Sequence, residues 1–137
     1  MKLITWNTNH RVRIAADQVK GIAALKPDIV ALQEVTPSTF PLLRDQLVQA
    51  DFPYVECSQI AAGAERRHQL GVLVASRFPL EVGAEIQQVV PNWQEKILSS
   101  IVSTNEGTIE LHNVHIPPGS SNGDEKVRVL EAVSTRM

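Results

Sequence analysis

One cysteine, Cys57, stands in the whole chain. No intrachain disulfide framework can hold the fold, and a lone thiol beside a strand pattern reads as a small apolar side chain suited to a reducing compartment. No apolar run approaches the roughly 20 residues that a membrane-spanning helix needs. The first residues enter a strand pattern with no charged and apolar leader, and the expectation is a cytoplasmic protein without membrane contact. Neither sign of charge dominates. Thirteen basic and fifteen acidic residues give a net charge of −2, which argues against recognition of nucleic acid through a global positive field and leaves local patches for any phosphate. Internal repeats, linkers and low-complexity tracts are also missing. What remains is ordinary: 137 residues, 43% hydrophobic and 20% charged, suit one globular domain with room for a real core.

The most informative stretch is Pro27-Asp28-Ile29-Val30-Ala31-Leu32-Gln33-Glu34, a short apolar run that delivers a carboxylate to the end of a buried strand. A second such run, Lys2 to Asn7, ends in an amide. Between them Val12, Ala15, Ala16, Val19, Ile22 and Ala23 recur at helical spacing over Arg11 to Lys26, opposite Asp17, Gln18 and Lys20. Strand, crossover helix and strand form a βαβ unit, which sets Asn7 and Glu34 side by side at the carboxyl edge of one sheet, where sites form. Pro37 and Ser38 introduce a second helix that buries Phe40, Leu43 and Leu47. Phe52 to Ser58 reads as a short strand whose Pro53 suits an edge or a strand start. Residues 61–67 read as loop. Gln69 to Ser76, nearly continuous in apolar residues, predicts a central strand covered on both faces. Glu81 to Val90, Gln94 to Thr104 and Thr108 to His115 predict three more, the last two joined by an Asn105-Glu106-Gly107 hairpin. Pro117 to Gly123 reads as loop, and Asp124 predicts the N-cap of a closing helix through Val127, Leu130, Glu131 and Val133.

Glu34 is a candidate ligand for a hard cation, because Mg²⁺ keeps several waters and needs only one or two carboxylates beside substrate oxygens. Taken alone, a surface carboxylate at a strand end is the commoner arrangement. Asn7 can hold a phosphate oxygen or orient a bound water, and an amide there equally satisfies turn backbone. His115 leaves its strand at Ile116-Pro117-Pro118-Gly119, where an imidazole can donate to a phosphoryl oxygen or protonate a leaving group. Most lone strand-end histidines do neither. Asn113 alternates onto the His115 face and can brace it or share its substrate, while His112 points away. Arg66-Arg67-His68 makes a small basic patch for a polyanion, against the plainer reading of a solvated loop.

Order and wording together carry more than any one residue. Thr5-Trp6-Asn7-Thr8-Asn9, then Lys26-Pro27-Asp28-Ile29-Val30-Ala31-Leu32-Gln33-Glu34, then Leu70-Gly71-Val72-Leu73-Val74-Ala75-Ser76-Arg77-Phe78-Pro79, then Asn113-Val114-His115-Ile116-Pro117 resembles the endonuclease/exonuclease/phosphatase superfamily over nearly the whole chain. The resemblance implies an α/β fold, half of a four-layer, DNase I-like α/β sandwich with a mixed sheet and flanking helices. It implies a metal-dependent phosphoesterase acting on phosphodiester or phosphomonoester bonds, and Trp6-Asn7-Thr8-Asn9 leans towards the nuclease branch. Glu34 matches the family's metal ligand, Asn7 the residue that helps bind metal and phosphate, and His115 the contact to the scissile phosphate. The implied catalytic set is thus His115, Asn7 and Glu34, with Mg²⁺, or Mn²⁺ in its place, at Glu34 and Asn7. Asn113, Asn9, His68 and Arg67 are the expected contacts to a phosphate-ester substrate, DNA among the candidates.

The family's later patterns, a "G-D-x-N" strand end and a terminal "S-D-H", do not occur in these 137 residues. Residues 1–137 are therefore expected to form the N-terminal half of such a domain, with the C-terminal half absent. A lone half is expected to leave one sheet face uncovered, which invites a homodimer through that face. The rival reading is a truncated, non-catalytic fragment or dimerising module.

Overall fold

The structure is a computed structural model that describes residues 1–58, 69–83, 94–120 and 123–134. Strands β1 (Leu3–Asn7) and β2 (Ile29–Val35) pair in parallel, with Leu3 opposite Ile29 and Asn7 opposite Gln33, and helix α1 (Ala15–Ala24) crosses between them. This is the βαβ unit expected from the two apolar runs. Helix α1 buries Ala15, Val19 and Ile22, a single stripe at i, i+4 and i+7. It starts at Ala15 rather than Arg11, and Val12, expected on the buried side, is exposed. The cause lies just upstream, where Asn9 and His10 have left-handed φ angles of 52° and 44° and fold the chain back over the end of β1. Gln18, expected to face solvent, instead donates from Nε2 to Thr8 O at 3.2 Å.

Helix α2 (Phe40–Gln49) is entered through a threonine pair: Thr36 N–H donates to Thr39 Oγ1 at 2.8 Å and Thr39 N–H to Thr36 Oγ1 at 3.2 Å. It buries Leu43 and Leu47. Strands β3 (Tyr54–Cys57) and β4 (Gly71–Ser76) complete a four-stranded sheet in the order β1-β2-β4-β3, with β4 antiparallel to both neighbours. All six residues of β4 are buried, as its unbroken apolar run requires. Pro53 stands just before the edge strand β3, where no ladder hydrogen bond is lost. Burial pushes the Cys57 thiol up to about 12, so it is an inert small side chain at neutral pH.

Strands β5 (Leu80–Val82), β6 (Ile97–Thr104) and β7 (Gly107–Val114) form a second, antiparallel sheet. The β6–β7 hairpin turns at Asn105 and Glu106, and Gly107 closes it with a φ of 138° that side chains resist. The strand expected from Gln94 begins only at Ile97, because Gln94–Lys96 is a 3-10 turn. Of the strand expected over Glu81 to Val90, residues 84–90 lie outside the described residues, as does the 61–67 loop.

Two cores follow from this layering. Ala15, Val19, Leu43, Leu47 and Phe52 pack with Val30, Leu32, Leu73 and Ala75 between the helices and the first sheet. On the other face Ile29, Val72 and Val74 pack with Leu80, Leu98 and Val102 of the second sheet. Each fully buried aliphatic side chain contributes roughly 1.5–3 kcal/mol relative to exposure. The expected uncovered face of the first sheet is therefore absent: β6 and β7 alternate, turning Leu98, Val102 and Leu111 onto it. The sheet-face homodimer loses its premise.

Helix α3 (Gly123–Ser134) also departs from expectation. It begins at Gly123, so Asp124 lies inside the first turn rather than at the N-cap, where its charge still complements the helix end. Val127 and Leu130 are 53% and 44% exposed, and the inward stripe is instead Glu125, Val129, Ala132 and Val133, another i, i+4, i+7, i+8 series. Among the described residues no helix is long and apolar enough to cross a membrane.

Candidate active site

The carboxyl end of β2 is built around a bulge. The β2–β4 register slips between Gln33 and Val35, and Glu34 between them has a φ of 58°. A left-handed glutamate costs on the order of 1–3 kcal/mol, so its neighbours must hold it. Buried Thr8 does so from the β1 exit: its N–H donates to Gln33 O at 3.0 Å, and its hydroxyl is 2.9 Å from Gln33 O and 3.1 Å from Glu34 O. The extra residue breaks strand alternation and turns the Glu34 side chain out over the sheet edge, where it is 19% exposed.

Asn7 and His10 close on that carboxylate. Asn7 Oδ1 accepts the Asn9 N–H at 2.8 Å, which fixes the amide so that Nδ2 donates to Glu34 Oε1 at 2.9 Å. The sequence reading brought two side-chain oxygens together for one cation. The structure brings the two groups together, with the amide nitrogen facing the carboxylate. His10 Nδ1 lies 3.3 Å from Glu34 Oε2. Burial alone would raise the Glu34 pKa, but the hydrogen bonds from Asn7 and His10, with the charge of His115 and His10, outweigh it and hold the carboxyl below its ordinary range. Glu34 is ionised at neutral pH.

His115 approaches from the second sheet. Its Nε2 is 3.6 Å from Glu34 Oε1, and its N–H donates to Lys96 O at 2.9 Å. Burial, then the Lys96 ammonium, push its pKa down against the opposing pull of Glu34, so the ring is neutral near pH 7. Its Nδ1 is buried with no partner. The tautomer with the proton on Nε2 therefore costs less, because it turns an N–H towards Glu34 and orphans only a lone pair.

Asn113 does not reach this rim. Its Nδ2 donates to Leu32 O and to Leu73 O, both at 2.9 Å, and its Oδ1 accepts from Gln33 Nε2 at 2.8 Å. The expected substrate contact is instead a buried tie between the two sheets, which braces the β7 end that carries His115. Asn9 is exposed at the rim and contributes its backbone N–H. Arg67 and His68 lie outside the described residues. His112 points away as expected, its Nδ1 2.8 Å from Ser99 Oγ. Sequence reasoning missed His10 and Lys96. His10 is invisible to periodicity because two left-handed residues, not a strand or helix, bring it back to Glu34. Its place three residues after Asn7 in a polar loop was the available sign.

Among the described residues no group of three His, Cys, Asp or Glu side chains could hold a metal ion. A hard cation does not require one. An ionised, partly exposed carboxylate flanked by an oriented amide suits Mg²⁺ with most of its waters retained, and Glu34 supplies that. A cavity of about 430 Å³ opens elsewhere, beside Met1, Asp28, Phe78 and the Asn105–Glu106 turn, at the amino ends of β1 and β2. It lies away from this chemistry.

A family model described as the Endonuclease/Exonuclease/phosphatase family matches residues 4–133. Comparison with curated proteins finds no match. Among solved structures, the chain is similar to an AP endonuclease from Archaeoglobus fulgidus, with 21% identity and a TM-score of 0.66 over 98% of this chain and 50% of that one. It is similar to the 3′ phosphatase NExo from Neisseria bound to a product DNA hairpin, at 22% identity and a TM-score of 0.67 over 98% of this chain and 50% of that one. It is similar to an endonuclease/exonuclease/phosphatase from Beutenbergia cavernae, at 21% identity and a TM-score of 0.67 over 100% of this chain and 45% of that one. The chain thus spans about half the length of the structures it matches. The fold is α/β, half of a four-layer DNase I-like sandwich, and because both sheets are present the half runs across the layers rather than between them.

Proposed function

Since the chain belongs to the Endonuclease/Exonuclease/phosphatase family, we propose that it is the site-bearing half of a metal-dependent phosphoesterase that hydrolyses phosphodiester or phosphomonoester bonds. The observation that carries this reading is the Glu34 carboxylate, held ionised at the carboxyl end of β2 between Asn7, His10 and His115. Mg²⁺, or Mn²⁺, at Glu34 would lend Lewis-acid charge to phosphoryl oxygens. Asn7 fixes the carboxylate's direction, and neutral His115 donates from Nε2 to a phosphate oxygen. His10, exposed at the rim, holds the second carboxylate oxygen. Similarity to an AP endonuclease and to a DNA-bound 3′ phosphatase favours a nucleic-acid phosphate as substrate, although the near-neutral charge limits that recognition to the site itself. The groups that activate the nucleophile are assigned to a second half outside residues 1–137, since "G-D-x-N" and "S-D-H" do not occur within them.

The test uses a form of the protein that carries both halves. Glu34→Gln is expected to abolish Mg²⁺-dependent phosphodiester hydrolysis, by on the order of 10³-fold or more, with little change in melting temperature, because it removes a cation ligand without emptying the core. Near-normal turnover of that variant at low Mg²⁺ would overturn the assignment of Glu34.

A further inference from the structure

Lys96 is a buried lysine: its side chain is 9% exposed, and it meets Glu125 Oε1 on α3 at the long distance of 3.7 Å. Burying an ammonium is costly unless close partners satisfy it. Lysine offers three donors, and among the described residues its one ion pair is long. The backbone beneath it is fixed from two sides. His115 N–H donates to Lys96 O at 2.9 Å, and Ser58 Oγ donates to Glu95 O at 2.7 Å, so the 3-10 turn is tied to the strand exit that carries His115. The charges meet at that imidazole: Lys96 lowers its proton affinity, while Glu34 and Glu125 raise it. A largely buried lysine with a long contact to its counter-ion therefore stands one backbone hydrogen bond from the residue whose ring faces Glu34.

We propose that Lys96 is a further substrate-binding residue of this site, a point charge for a phosphoryl oxygen, and that Glu125 is its resting counter-ion, displaced when the phosphate arrives. The identity of the anion rests on the phosphoesterase reading above. Exchange of partners explains both the burial and the long contact. The fold has already met the desolvation cost of the ammonium, and a phosphate oxygen at hydrogen-bond distance interacts more strongly than a carboxylate at 3.7 Å. Glu125 then competes with substrate, so the first turn of α3 sets the affinity of a site built on the strands.

Inorganic phosphate titrated into the 137-residue chain without added metal tests this directly, read by backbone amide shifts at Lys96, Ile97 and His115. Lys96→Gln is expected to weaken phosphate binding about tenfold or more, Lys96→Arg to stay within about threefold, and Glu125→Gln to tighten it by about threefold or more, as a competing charge is removed. Wild-type affinity in Lys96→Gln overturns the proposal. So does weaker binding in Glu125→Gln, or a wild-type chain whose amides at these positions ignore phosphate. Lys96→Arg and Glu125→Gln, at a partly exposed position, keep the test decisive if Lys96→Gln fails to fold, which circular dichroism reports. Binding needs no turnover, so the two readings part cleanly. Full activity in Glu34→Gln with lost phosphate binding in Lys96→Gln would sink the metal-dependent mechanism and leave the Lys96 anion site standing.

Discussion

Glu34 and His115 are 3.6 Å apart and both have lowered pKa values, for opposite physical reasons. For Glu34, donors and nearby imidazole charge overcome burial. For His115, burial and Lys96 overcome the nearby carboxylate. Both shifts make the unfolded chain bind more protons than the folded one as pH falls, so both cost stability in acid. The windows differ. His115 begins to cost stability as pH drops below its unfolded value of about 6.5, and Glu34 as pH drops below about 4.3. Metal-free melting temperatures are expected to fall in two stages on acidification, and His115→Gln should remove the first while keeping the second. A profile in which His115→Gln still loses stability between about pH 6.5 and 5 would show that another group titrates there.

A buried amide ties the two sheets together beneath the site. Asn113 bridges Leu32 O and Leu73 O of the first sheet from β7 and also holds Gln33, whose Nε2 reaches Thr5 Oγ1 at 3.0 Å. Asn113→Leu leaves buried polar groups without their donor and is expected to destabilise the fold by about 2–4 kcal/mol, at roughly 1–3 kcal/mol per unsatisfied group. Urea unfolding checks it, and an effect under about 0.5 kcal/mol would mean that the sheets are held by packing alone. The sequence made β1, α1, β2 and β4 legible because a parallel pair and a strand buried on both faces write unbroken apolar runs. The adjacency of Asn7 and Glu34 followed from that topology. The bridging role of Asn113 did not, because alternation says which face a residue takes and not what lies opposite. For the same reason β6 and β7 could be read as strands without revealing that they cover the first sheet. The face of α3 was misread because its apolar residues fit two overlapping stripes, and only tertiary packing chose Val129 over Val127 and Leu130.

At the scale of the whole molecule both sheets end in open edges among the described residues. Among the described residues β1 pairs only with β2, and β7 only with β6. Leu3 and Trp6 on the edge strand β1 are exposed large apolar side chains. An unpaired edge offers a row of backbone donors and acceptors to any other strand, and exposed apolar area adds about 25 cal/mol per Å² when it is buried. We therefore expect the 137-residue chain to associate through β1 or β7, with a light-scattering mass above that of a monomer. Trp6→Lys should reduce that association by charging the edge. The same chain should show little hydrolysis of a generic phosphodiester with Mg²⁺, because on the proposed reading Glu34, Asn7 and His115 supply positioning and charge, and no group among the described residues is assigned the nucleophile-activating roles. Losing grouped catalytic residues costs on the order of 10⁴-fold or more. A monodisperse monomer with strong turnover would defeat both expectations at once. The neutral imidazole of His115 or the exposed ring of His10 would then have to activate water at Glu34, and His10→Ala would separate the two.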